Sequence, residues 1–97
     1  MSGKFLHIYI NPRSDFTREQ IEEKLNLALD WYRYSRTNWI VYTSSDVEVW
    51  YSRLKIFVIS DSDSDKESGA IFIAPIDIDK CNGFMSKSLW SWLRKKR

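Results

Sequence analysis

The chain is predicted to fold as an α+β domain, a βαββαβ sandwich followed by a short C-terminal helix. Two observations carry that expectation. Stretches of period-two alternation give way twice to helical spacing behind a capping signal, and two aromatic, β-branched runs at the middle are separated only by a turn. There is no internal repeat and no linker, so residues 1–97 are read as one domain. A chain of this length buries roughly two-thirds of its unfolded surface, enough to fold alone with little surplus stability.

From Phe5 to Ile10 the residues alternate. Leu6, Ile8 and Ile10 form the set expected to face the helices, while Phe5, His7 and Tyr9 point the other way. Asn11-Pro12 ends this strand, because proline cannot donate to a ladder. Thr17 and Gln20 then make a capping box, with Phe16 and Ile21 placed as a hydrophobic staple. Ile21, Leu25, Ala28 and Leu29 recur at helical spacing, which predicts a helix from Arg18 to about Leu29.

Trp31 to Tyr34 and Trp39 to Thr43 read as a β-hairpin about the turn-like Ser35 to Asn38. Ser45 and Glu48 form a second capping-box pattern ahead of Val47, Trp50, Tyr51 and Leu54, predicting a helix from Asp46 to at least Lys55. Ile56 to Ile59 has strand-like composition but helical continuity, and a last helical turn is preferred. Residues 60–68 are a charged low-complexity loop, expected to be flexible. Ala70-Ile71-Phe72-Ile73-Ala74 suits a central strand, limited by Pro75. Ser86 or Ser88 can cap a final helix over residues 86–97, rich in Trp and ending in basic residues that suit its dipole. Strand, helix, strand, strand, helix, strand is the ferredoxin-like order, a statement of shape only, since one cysteine cannot hold an iron–sulfur cluster.

Composition restricts function more than it names one. Net charge is only +2, but Lys87, Arg94, Lys95, Lys96 and Arg97 lie in the last twelve residues with no acid among them. These five are the candidate nucleic-acid ligands, where cations neutralise phosphates and neighbouring rings stack on bases. The same basic helix end is also a common solubilising feature. Aromatic residues are 15% of the chain, so either a packed core or an aromatic interface is expected, with Trp39, Tyr42, Trp90 and Trp92 as interface candidates.

Cys81 is the only cysteine, which fits a reducing compartment. No signal peptide is evident and no apolar run approaches the roughly 20 residues of a membrane span, so a cytoplasmic, non-membrane protein is expected. Asp61, Asp63 and Asp65 begin like a calcium loop, but Lys66 and Phe72 stand where Gly and Glu belong. Asp77 and Asp79 read as a solubilising strand end before a metal pair. His7 reads as an ordinary sheet-face histidine, and no specific nucleophile arrangement can be built around it. No cofactor is expected.

The arrangement resembles the CRISPR-associated small ferredoxin-like endonuclease family and its SinR-like and virulence-associated-protein-D-like relatives. The residues that carry the resemblance are Phe5 to Ile10, Trp31-Tyr32-Arg33-Tyr34 running into Asn38 to Thr43, Ser45 to Leu54, Ile71-Phe72-Ile73, and the Trp-rich C-terminal segment, so that it spans residues 5–93. It implies a homodimer in which two sheets face or extend one another. It also implies, for active members, an aspartate at the end of the first strand acting on nucleic acid with a divalent metal. Here Asn11 and Pro12 take that place, and Asp15 is the only weak catalytic candidate nearby.

The expected function is therefore a non-catalytic binding or assembly module acting as a homodimer, with a further protein partner in a phage, defence or toxin–antitoxin setting. The alternatives are a metal-dependent endonuclease, the one case that calls for a divalent metal, and a nucleic-acid-binding protein that uses the basic C-terminus.

Overall fold

The computed structural model describes residues 3–59 and 69–97, and the calcium-loop pattern and the flexible acidic loop of residues 60–68 lie outside them. Four strands form one sheet: β1 (Lys4–Asn11), β2 (Asp30–Ser35), β3 (Asn38–Thr43) and β4 (Ala70–Ile76). Their order across the sheet is β2-β3-β1-β4, and every neighbouring pair is antiparallel. Among the described residues three α-helices accompany it, α1 (Arg18–Leu25), α2 (Val47–Leu54) and α3 (Lys87–Arg94), with a 3-10 turn at Lys55–Phe57. The chain is thus α+β, as its alternation of periods predicts.

The expected phase of β1 is observed. Leu6, Ile8 and Ile10 are buried with Trp39 and Val41 of β3 against Ile21 and Leu25 of α1 and Trp50 and Leu54 of α2. Ile71 and Ile73 of β4 pack on the same core from its margin. The opposite face carries a second, smaller core, in which Leu89 and Leu93 of α3 cover Ile40 and meet Phe5, Tyr32 and Ile76. The sheet is therefore sandwiched, with α1 and α2 on one side and α3 across part of the other.

Local chemistry sets the helix ends. The Thr17 capping box forms as read: Gln20 N–H donates to Thr17 Oγ1 at 3.3 Å and Thr17 N–H to Gln20 Oε1 at 2.8 Å. Such a cap contributes about 1 kcal/mol. The helix stops at Leu25 rather than Leu29. Asn26 caps it and accepts the Trp31 indole N–H at 2.9 Å, while Leu29 N–H is captured by Tyr42 O at 2.8 Å and drawn toward the sheet.

The second capping box does not form. Asp46 is the N-cap and makes no side-chain cap bond; its carboxylate pairs with Lys4 instead, and Ser45 N–H turns back to Thr43 Oγ1 at 3.1 Å. Helical continuity past Leu54 holds for one 3-10 turn, and the chain then leaves the helix at Val58. β4 lies at the sheet margin rather than its centre. That position explains how Pro75 sits inside a strand, since an edge residue need not donate outward. Ser86, of the two serines considered, caps α3 by accepting Leu89 N–H at 3.3 Å.

Candidate functional site

The sequence places the basic residues of α3 on one helix, and the structure sorts them by task. Leu89 and Leu93 face the sheet, so Lys87, Trp90, Ser91 and Arg94, three and four residues apart, share the opposite flank. They line an open groove of about 600 Å³, together with the chain from Cys81 to Gly83. The Arg94 guanidinium lies 5.4 Å from the Trp90 ring centroid, which holds a cation beside a half-buried indole. Lys95 and Lys96 are exposed just beyond the helix end.

Arg97 differs from the other four. Its guanidinium stacks over Trp92 at 4.6 Å and Tyr42 at 5.1 Å, donates to the Trp92 and Lys95 carbonyls, and pairs with Asp30 at 3.1 Å. Only 12% of its side chain is exposed. It is a clamp on the C-terminal end of α3, satisfying carbonyls the helix leaves open.

The four aromatic interface candidates separate likewise. Trp39 is 1% exposed and belongs to the main core, its indole N–H reaching Glu22 at 3.2 Å; the expectation of an interface residue there is corrected by its phase on β3. Tyr42 and Trp92 join Phe5 in a ring cluster beneath Arg97. Trp90 opens onto the groove beside α3.

A smaller cleft under α3 brings His7 of β1 and Tyr34 of β2 together with Cys81, Met85 and Trp90. His7 Nε2 and the Tyr34 hydroxyl are 2.5 Å apart. Burial lowers the His7 pKa, against a hydrogen bond with the Asn38 side chain that raises it, and burial raises the Tyr34 pKa. Both shifts favour the neutral forms of the two side chains, and the tautomer of His7 decides which of the two donates. Sequence reading put His7 on this face but did not find its partner; the signal was there, in Tyr34 sharing the phase of Tyr32.

At the far end of β1, Asn11 is exposed and Asp15 lies 3.5 Å from Arg13. A pocket of about 330 Å³ opens beside them, and three arginines, Arg13, Arg18 and Arg36, contribute to its wall. Asp77 and Asp79 form a turn, Asp79 N–H donating to Asp77 Oδ1 at 3.0 Å. Among the described residues, no three His, Cys, Asp or Glu side chains gather as a metal-binding group, and no helix is long and apolar enough to cross a membrane.

Comparison with family models, curated proteins and solved structures finds no significant match for this chain.

Proposed function

We propose that the chain is a non-catalytic binding module of ferredoxin-like βαββαβ topology, whose α3 groove takes single-stranded nucleic acid. The observation that carries this reading is the convergence of Lys87, Trp90 and Arg94 on one open groove. A cation–indole platform supports sequence-tolerant stacking of a base, worth about 1–3 kcal/mol, while the lysine and arginine meet the backbone. Lys95 and Lys96 extend the positive surface. The topological part rests on β1 lying between β3 and β4 with antiparallel neighbours, each helix following the strand it connects. The likeness to CRISPR-associated small proteins belongs to the same proposal and rests on element order alone.

Fluorescence anisotropy with a labelled oligothymidylate tests it. Trp90→Ala and Arg94→Gln are each expected to weaken binding about tenfold or more, in line with the stacking term. Equal affinity for wild type and both variants would remove the groove from the account.

A homodimer is the second reading, favoured by the outer edge of β4. That edge has no neighbouring strand among the described residues, and Phe72 upon it is 63% exposed. An open edge with an exposed ring is suited to pairing with another copy. Light scattering after gel filtration distinguishes the cases: a dimer reduced to monomer by Phe72→Lys supports edge pairing, and a monomer at high micromolar concentration excludes it.

A further inference from the structure

The pocket at the end of β1 is built by backbone constraints before any ligand arrives. Arg13 N–H donates to Phe57 O at 2.8 Å, and Arg13 O accepts Phe16 N–H at 3.1 Å, so its Cα is held on both sides. Its guanidinium lies 5.8 Å from the Phe16 ring centroid, and its Nε is buried with no hydrogen-bond acceptor among the described residues. A buried donor left without an acceptor costs roughly 1–3 kcal/mol. Arg36 reaches the same wall from the β2–β3 turn, where Ile10 N–H donates to Thr37 O at 2.9 Å and ties the turn to β1.

Charge in the pocket is unbalanced. Arg18 answers Glu19 at 3.2 Å and Glu22 at 3.8 Å. Asp15 meets Arg13 only at 3.5 Å and is itself exposed, and Arg36 makes no hydrogen bond or ion pair among the described residues. Two guanidinium groups are thus poorly compensated around a concavity of about 330 Å³, ample for a tetrahedral anion. Guanidinium forks match the geometry of phosphate oxygens, which a lone ammonium does not.

We infer that this pocket is an anion site that binds a phosphate group through the guanidinium groups of Arg13 and Arg36. The site is separate from the α3 groove and stands whether or not that groove binds nucleic acid. Its ligand is a free phosphate or the terminal phosphate of a nucleotide chain, since both present the same oxygens.

The test follows the arginine Nε–H resonances of the full chain by NMR during titration with inorganic phosphate, with sodium chloride at matched ionic strength as control. A saturable shift of the Arg13 resonance with phosphate alone is expected. Arg36→Gln, an exposed substitution, is expected to weaken that affinity about tenfold, and Trp90→Ala to leave it unchanged. Repeating the titration with a 5′-phosphorylated dinucleotide and its 5′-hydroxyl counterpart separates the sources. Tighter binding of the phosphorylated form assigns a chain terminus, and binding of inorganic phosphate alone assigns the free anion. An identical shift with chloride, or phosphate affinity untouched by Arg36→Gln, would overturn the inference.

Discussion

The Asp30 carboxylate on β2 accepts the indole N–H of Trp92 on α3 at 2.9 Å. The same oxygen meets Arg97 at 3.1 Å, so one acid at the start of an edge strand fastens both the helix and the residues after it. The Tyr32 hydroxyl holds Ser88 at 2.6 Å, so α3 is tied to β2 near each of its ends. The groove proposed to bind nucleic acid is therefore mounted on a helix fixed by polar contacts as well as by Leu89 and Leu93.

Asp30→Ala should loosen that mounting. It removes the acceptor of three hydrogen bonds, from the Trp92 indole, Arg97 and the Trp31 backbone N–H, and leaves those donors seeking other partners, a loss of about 1–3 kcal/mol. Urea unfolding should show a lower midpoint, and amide exchange should quicken across α3 before the rest of the chain. Asp30→Asn keeps one acceptor oxygen and should fall between the two.

Among the described residues Thr43 is the one buried polar side chain, 2% exposed, and its Oγ1 accepts the Trp50 indole N–H at 3.0 Å. Thr43→Val preserves shape but leaves that N–H in the core without a partner, and should cost about 1–3 kcal/mol. Thr43→Ser keeps the acceptor and should cost less. Denaturant midpoints of the two variants check the order.

The β1–β4 junction depends on Gly69. A Cβ placed there would lie 2.2 Å from the Asn11 carbonyl oxygen, a backbone atom that cannot swing aside. Gly69→Ala should therefore destabilise the chain by about 1–3 kcal/mol, the usual range for overpacking. Thermal unfolding by circular dichroism reads this directly, and an unchanged midpoint would mean that the two segments separate easily.

Stability should also fall with acid through His7. Its pKa is lowered in the fold, so below its ordinary value of 6.5 the unfolded chain takes up a proton that the folded chain refuses. Stability is therefore fully present above pH 6.5, declines as pH falls below it, and levels off once the folded form also titrates. Tyr34 works in the opposite range: its raised pKa makes stability decline as pH rises past 10.0. His7→Gln should flatten the acid limb, as measured by urea midpoints across pH.

Periodicity made the fold readable because its strongest signals were local. The alternation of Leu6, Ile8 and Ile10 and the Thr17–Gln20 capping box each depend on neighbours in sequence, and both are found in the structure. The features that were missed depend on distant partners. Lys4 draws Asp46 away from a capping role, Tyr42 O ends the expected extension of α1, and the place of β4 at the margin follows from pairing that its apolar run does not encode. The candidate groove was half visible: Lys87, Arg94 and Trp90 were read for different roles, and only the helix brings them to one flank. The arginine pocket was invisible because Arg13 and Arg36 belong to separate turns that β1 and the β2–β3 hairpin bring together.

The most direct test of the α3 groove as a nucleic-acid surface is the salt dependence of oligothymidylate binding, compared between wild type and the double variant Lys87→Gln, Arg94→Gln. Each phosphate contact on a single strand contributes about 0.7 to the slope of log affinity against log salt. The proposal predicts a slope shallower by about 1.4 for the double variant, together with weaker binding at low salt. The same slope and the same affinity in both proteins would contradict it and leave α3 as a structural helix alone.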